Sequence, residues 1–369
     1  MQNEIPVALI SFKGLPVYAI QLANGLANLT EIHLFLADIA IKTYAPFIDS
    51  RIHLHQLRTY RYRNPAGILA SLNIIHKIKT AGIQIAHLIA NEPWFNLFIP
   101  FIKSFSLVTT VHDVRYHPGD RRSNVVPQAV SDLATKFSTA LIVHGIHLKT
   151  SLCVNFRIDK NRVFVIPHMN YSFYRSWERA EIKEEENNIL FFGSIWEYKG
   201  LKYLMKAEPF LSRELGHFKI IIAGAGEPFS KYRKYVCDRS KYEIINEFIP
   251  DERVAELFQR AAVVVLPYIE ASQSGVIPLA FSFGKPVVAT SVGSIPEIVD
   301  NGKNGFLVNP RDPYALGEAV VKILCNAELR NTMSKNARIK AYQELSWNRV
   351  ARIHLEVYRK ILHRFPKAP

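Results

Sequence analysis

Val265-Leu-Pro267-Tyr-Ile-Glu270-Ala-Ser272-Gln273-Ser274-Gly275-Val276-Ile-Pro-Leu-Ala-Phe-Ser-Phe-Gly284-Lys-Pro286-Val-Val-Ala-Thr290 reads as the end of a strand, a polar loop, a short helix, a turn and a second strand. The β-branched run stops at a proline, small polar residues open the helix, and Gly284 with Pro286 leads into another β-branched run. That is one βαβ unit of a parallel sheet. Ligands of such sheets bind beyond the carboxyl ends of the strands, so Ser272, Gln273, Ser274, Gly275 and Val276 are candidates for holding an anion at the helix start. The same small residues also suit an ordinary βαβ unit that only needs close packing.

The pattern extends in both directions. Strand-like runs begin at Asn188, Phe218, Tyr242, Ala262, Lys285 and Gly305, and an earlier set at Ile5, Ile32, Ile85, Leu107 and Ala140. Helix-period segments at Tyr18–Ala27, Ala66–Lys79 and Val126–Lys136 lie between the early runs, as parallel sheets covered by helices require. Between the two sets, Trp177-Glu-Arg-Ala-Glu-Ile-Lys-Glu-Glu-Glu-Asn187 is charged and poor in apolar residues, which predicts a linker over 178–187. The domains expected are therefore 1–177 and 188–346. A tail helix, about 347–369, has Val350, Ile353, Val357 and Ile361 at helical spacing.

With 369 residues, 49% of them hydrophobic, the chain can bury two cores but is too long for one. Three scattered cysteines exclude a disulfide framework or a zinc cluster built on cysteine and suggest a reducing, cytoplasmic setting. The start of the chain has no signal-like apolar run, and no stretch reaches the length of a membrane span. Residues 1–177 hold 18 Lys and Arg against 9 Asp and Glu, and the remainder 28 against 23, giving +9 and +5. Such a surface attracts phosphates, anionic lipid or nucleic acid. The basic residues are scattered and no nucleic-acid motif is present, which argues against nucleic acid.

Four further strand-end loops carry candidate chemistry. Ser11-Phe-Lys-Gly14 allows a close backbone approach, or merely a strand-to-helix turn. His112 and Asp113, with Arg115 and His117 following, stand after the Leu107 strand, where a histidine can exchange a proton or orient a hydroxyl. A metal reading of His112, Asp113 and His117 matches no ligand spacing. Phe192-Gly193-Ser194 and Tyr198-Lys199-Gly200 place a turn and a lysine before a helix, where Lys199 can meet a phosphate. Gly224-Ala-Gly226 is followed by Phe229 rather than a third glycine, which disfavours a dinucleotide cofactor.

In their order these segments resemble family 4 glycosyltransferases of the GT-B fold, over nearly the whole chain. Thr110-Val-His112-Asp113, Tyr198-Lys199-Gly200, Ser272–Val276, Gly284-Lys-Pro-Val-Val-Ala-Thr, Ile295-Pro-Glu-Ile-Val, Asn301-Gly-Lys-Asn-Gly-Phe-Leu-Val and Ser346-Trp347 carry the resemblance. It implies an α/β protein of two Rossmann-like domains facing across a cleft, the C-terminal helix returning to the first. It further implies a retaining, metal-independent enzyme that takes a sugar from a nucleotide diphosphate sugar, UDP slightly ahead of GDP, with no cofactor. His112, Lys199 and Glu270 are then catalytic. Gly14, Gly193, Ser194, Gly224, Ile249 and Ser272–Val276 would bind the donor, with base recognition near Phe248-Ile249-Pro250.

This sequence departs from the family in two places. Ser194 stands where the family has a phosphate-binding arginine. The two glutamate positions of the family fall on Ala271 and Leu279, with Glu270 one place early as the substitute for the first. The Ser274-Gly275 loop resembles a variant of the family, which implies altered donor recognition. A scaffold that binds a nucleotide sugar or a partner without turnover is the alternative. The acceptor implied is a glycan or a polyprenyl-diphosphate-linked glycan, met by Asp113, Arg115 and Arg61. The basic aromatic run Arg58–Arg63 and the apolar Trp94–Phe105 would then touch an anionic membrane at its cytoplasmic face. Taken singly, they also read as a solvated edge and a buried helix.

Overall fold

The structure, a computed structural model, describes residues 5–12, 14–60, 64–90, 92–114 and 128–365. It divides into two compact units. One runs to Pro167 and takes up the tail from Trp347, and the other runs from His168 to Ser346.

In the first unit the strands are β1 (Val7–Ser11), β2 (Ile32–Ala37), β3 (His53–Leu57), β4 (Ile85–Leu88), β5 (Ser106–Thr110), β6 (Ala140–Val143) and β7 (Val163–Val165). They form one sheet in the order β3-β2-β1-β4-β5-β6-β7, with every pair parallel. β1, β2, β4, β5 and β6 are buried throughout because helices cover both faces, so their sequences are near-continuous apolar runs. β3 is an edge strand in which only Leu57 is buried. Its polar sequence, His-Leu-His-Gln-Leu, gave no apolar run to find, and the three-residue β7 was too short to register.

The second unit holds β8 (Asn188–Phe192), β9 (Lys219–Ala223), β10 (Tyr242–Ile245), β11 (Val263–Leu266), β12 (Val287–Thr290) and β13 (Gly305–Val308), parallel in the order β10-β9-β8-β11-β12-β13. In each sheet the strand order reverses once, between β1 and β4 and between β8 and β11. Crossover helices leave in opposite directions there, opening a crevice at the carboxyl ends.

The tail helix Trp347–Arg364 packs on the helix Pro16–Leu26 of the first unit. A Cβ at Gly25 would lie 3.0 Å from the Ala351 Cβ and 3.1 Å from the Trp347 carbonyl, so glycine permits the approach. Val350, Val357 and Ile361 are buried as their spacing predicts and Ile353 is half-buried, while His354, Leu355 and Tyr358 widen the buried face. Each such apolar side chain contributes about 1.5–3 kcal/mol when fully buried.

One expectation needs correction. Residues 178–187 are not a loose connection but lie within the second unit, held by charge rather than by apolar packing. Glu184 pairs with Lys285 at 2.7 Å and Arg330 at 3.6 Å, and Glu185 with Arg260 at 2.5 Å. The Trp94–Phe105 segment is a short helix, Pro93–Phe98, followed by a 3-10 turn. Phe95, Ile99 and Phe105 enter the first unit's core, leaving Leu97 and Phe101 on the surface.

Candidate functional site

The loops leaving β8 and β11 meet at the second sheet's switch point. After β8 the chain turns through Gly193 and Ile195 to a 3-10 turn, Glu197–Lys199, which ends at Gly200 in the left-handed region, φ 67°. Gly200 rests against the Pro267 carbonyl, where any Cβ would collide, and the Ile269 N–H donates to the Tyr198 carbonyl at 2.8 Å. These two contacts fix Lys199 beside the loop that follows β11. Its Nζ lies 3.8 Å from the centre of the Tyr268 ring. Among the described residues no carboxylate pairs with it. A half-buried ammonium held on an aromatic face without a counter-ion is a ready partner for an anion.

Tyr268 is buried, and its hydroxyl lies 3.4 Å from the Ser274 Oγ, so Lys199, Tyr268 and Ser274 form one continuous patch. The helix that follows, Val276–Ser282, offers fewer donors than the sequence suggests. The Val276 N–H is taken by Ser274 Oγ at 3.3 Å, and Pro278 has no N–H. Among the described residues the N–H groups of Gly275 and Ile277 remain without an acceptor. Gln273 contributes a buried Oε1 that lacks a donor among the described residues. Ser272 is half-buried, and its carbonyl accepts from the Ser294 N–H at 3.1 Å.

The remaining candidates of this unit are spread around the patch. The N–H groups of Gly193 and Gly224 are spent on the carbonyls of Ala223 and Ile245, both at 2.9 Å, so these glycines serve the close approach of two loops. Ser194 and Glu270 are exposed, Ile249 is buried and its neighbour Phe248 is 79% exposed. Leu279 is buried in the helix, where a carboxylate would be costly to desolvate. Two residues that sequence reasoning missed, His168 and Tyr171, line the Gly275 side. A Cβ at Gly275 would lie 3.3 Å from the Tyr171 hydroxyl and 3.7 Å from the His168 Nε2. Burial pushes the Tyr171 phenol well above its usual value, so it stays a neutral donor. No motif marks these two, because they precede the stretch read as a linker. Tyr268, the residue that joins Lys199 to Ser274, was missed too.

In the first unit the corresponding ends are those of β1, β4, β5 and β6. Ser11 Oγ donates to the Gly14 carbonyl at 2.5 Å, Leu15 adopts φ 57° before Pro16 opens the helix, and a Cβ at Gly14 would lie 3.3 Å from that of Ala90. His112 Nε2 lies 3.0 Å from the Ile89 carbonyl. A carbonyl only accepts, so Nε2 carries the proton and Nδ1 is the acceptor in the neutral ring. The ring stands edge-on to Tyr18 at 5.8 Å and 5.3 Å from that of His144, a neighbour that sequence reasoning passed over. His144 in turn donates through Nδ1 to the Ile166 carbonyl at 3.0 Å. Asp113 is exposed beside His112. Arg61, Arg115 and His117 lie outside the described residues.

Comparison with known proteins agrees with this geometry. Residues 186–326 match the family model for glycosyl transferases group 1. An uncharacterized glycosyltransferase of Methanocaldococcus jannaschii is 29% identical over 247 residues, 63% of this chain and 62% of the relative, so the chain spans less than two thirds of that protein. The D-inositol 3-phosphate glycosyltransferase of Pseudarthrobacter chlorophenolicus is 25% identical over 362 residues, 92% of this chain and 83% of the relative. Among solved structures, Anabaena HepE in complex with UDP-glucose superposes with a TM-score of 0.72 at 16% identity, covering 97% of this chain and all of that one. The shared fold is GT-B.

Proposed function

We propose, from the premise that residues 186–326 form a group 1 glycosyltransferase region within a GT-B fold, that the protein transfers a hexosyl group from a nucleotide diphosphate sugar to a glycan or lipid-linked glycan. The observation that carries this reading is Lys199: an ammonium with no carboxylate partner among the described residues, fixed on Tyr268 at the switch point of the second sheet. As the bond from the anomeric carbon to the phosphate oxygen breaks, negative charge grows on the leaving diphosphate. Lys199 and the N–H groups of Gly275 and Ile277 are the fixed donors that stabilise that charge more in the transition state than in the ground state.

The acceptor oxygen bonds to the anomeric carbon on the face the diphosphate leaves, and its proton passes to a phosphate oxygen. Configuration is retained and no enzyme nucleophile or metal ion is needed. His112 holds a sugar hydroxyl or orients the acceptor through its Nδ1. Gln273, whose buried carbonyl oxygen awaits a donor, replaces the missing ribose carboxylate at Leu279. The likeness to HepE, solved with UDP-glucose, supports UDP ahead of GDP. A lipid-linked acceptor and the +9 of residues 1–177 favour work at the cytoplasmic face of an anionic membrane.

A panel of nucleotide sugars, scored for thermal stabilisation and for release of nucleoside diphosphate, tests the reading. A UDP-sugar is expected to give the largest shift and to turn over. Stabilisation by no nucleotide sugar would overturn the reading, and stabilisation without release under any acceptor would favour the non-catalytic scaffold.

A further inference from the structure

The amino-terminal end of the first sheet, opposite the end that carries Gly14 and His112, holds a cluster that the transfer reaction does not use. Successive side chains of a strand alternate between faces, and parallel neighbours stand about 4.8 Å apart. Glu31 directly precedes β2 and His33 is its second residue, so the two share a face. In the sheet register His33 is paired with His53, the first residue of β3, and His55 follows two places on, again on that face. Three imidazoles and one carboxylate are therefore brought together by register alone.

The distances match the needs of a metal ion. Glu31 Oε1 lies 3.0 Å from His33 Nε2 and 3.6 Å from His53 Nε2, and the three ligand atoms lie within 4.8 Å of one another. An ion about 2.1 Å from each of three tetrahedral ligands sets those ligands about 3.4 Å apart, within the spread seen here. The rings of His33 and His53 stack at 4.7 Å and 23°, so both nitrogens approach the carboxylate from one side. Behind them His33 Nδ1 lies 3.0 Å from His55 Nε2. When Nδ1–H donates to His55, the Nε2 lone pair of His33 is turned toward Glu31, an arrangement that a cation between them stabilises. Metal-bound histidines are held by such outer partners. His33 is buried, whereas Glu31 and His53 are exposed, which leaves an entry path and room for water to complete the coordination.

We propose that Glu31, His33 and His53 bind one divalent transition-metal ion of the zinc class, with His55 as the positioning residue, and that the ion clips the edge strand β3 to β2. Imidazole with carboxylate suits zinc and its neighbours and disfavours calcium or magnesium, which take oxygen ligands. Binding of an ion to the folded chain alone raises its stability.

The full chain, freed of metal with a chelator, is titrated with zinc against a competing indicator and with cobalt followed by its visible spectrum. One equivalent is expected to bind, with thermal stabilisation and slower hydrogen exchange over His53–Leu57. His53→Ala and Glu31→Gln, both at exposed positions, are expected to lower zinc affinity more than tenfold, and His55→Phe about tenfold. His76→Ala, an exposed histidine on another element, leaves it unchanged. No saturable equivalent in the parent, or parental affinity in both His53→Ala and Glu31→Gln, would overturn the proposal.

Discussion

The two sheet ends that hold Lys199 and His112 solve different problems. In the second unit, loops stapled by Gly200 and Pro267 leave an ammonium with no carboxylate partner among the described residues, resting on a buried ring. In the first, the imidazole of His112 is tied to the Ile89 carbonyl and set among the rings of Tyr18 and His144. An anion site works by leaving charge uncompensated until the ligand arrives. A hydroxyl-orienting site works by fixing the proton on one nitrogen so that the other accepts. On the proposed function, charge dominates at one end and tautomer at the other, and the expected mutational effects differ accordingly.

The sharpest contrast comes from Lys199→Ala, for which release of nucleoside diphosphate is expected to fall a hundredfold or more, about 3 kcal/mol of transition-state stabilisation. A steady-state assay at saturating acceptor measures it. Nearly as large is an acid effect in the first unit, where burial depresses His87 and His354. His354 is fully buried, and burial depresses it to about 4 while its Nδ1–H donates to the Val350 carbonyl. The unfolded chain binds this proton near pH 6.5 and the folded chain only near 4, so stability present above 6.5 is lost as pH falls, on the order of 3 kcal/mol. Hydrogen exchange from pH 7 to 4 is expected to show the first unit loosening before the second, and His354→Leu to flatten that decline.

Gly200→Ala tests how the Lys199 loop is held. A Cβ there meets the Pro267 carbonyl at an unfavourable φ, which costs about 1–3 kcal/mol in thermal unfolding and lowers turnover with it. Gly275→Ala, with φ −71° and the Tyr171 hydroxyl at 3.3 Å, should be milder by the same measurement. The smallest effect belongs to His112→Ala, about tenfold in turnover for one lost hydrogen bond, with UDP affinity unchanged. Equal losses for Lys199→Ala and His112→Ala would erase the distinction drawn between the two ends.

Much of this was legible because parallel strands buried on both faces must be apolar runs, and turns at their ends need Gly, Pro and Ser. Lys199, Ser274 and His112 lie in the loops that follow such runs. What escaped were contacts made across the chain. Tyr268 reads as one aromatic among many until Lys199 is folded onto it. His168 and Tyr171 sit beside Gly275 because the Tyr171 N–H donates to Ser282 Oγ and Asn170 donates through its backbone and side chain to the Leu345 and Ala341 carbonyls. The Glu31, His33 and His53 cluster depends on the register of an edge strand whose alternation of histidine and leucine carried no apolar signal. Free helix-start donors were over-read, since Ser274 takes the Val276 N–H and Pro278 has none.

The most direct test of the central claim compares the affinities of UDP and uridine for the parent and for Lys199→Ala by titration calorimetry. If Lys199 meets the diphosphate, the substitution weakens UDP by about tenfold to a hundredfold and leaves uridine unchanged. Equal UDP affinity in the two proteins, or an equal loss for uridine, would contradict it.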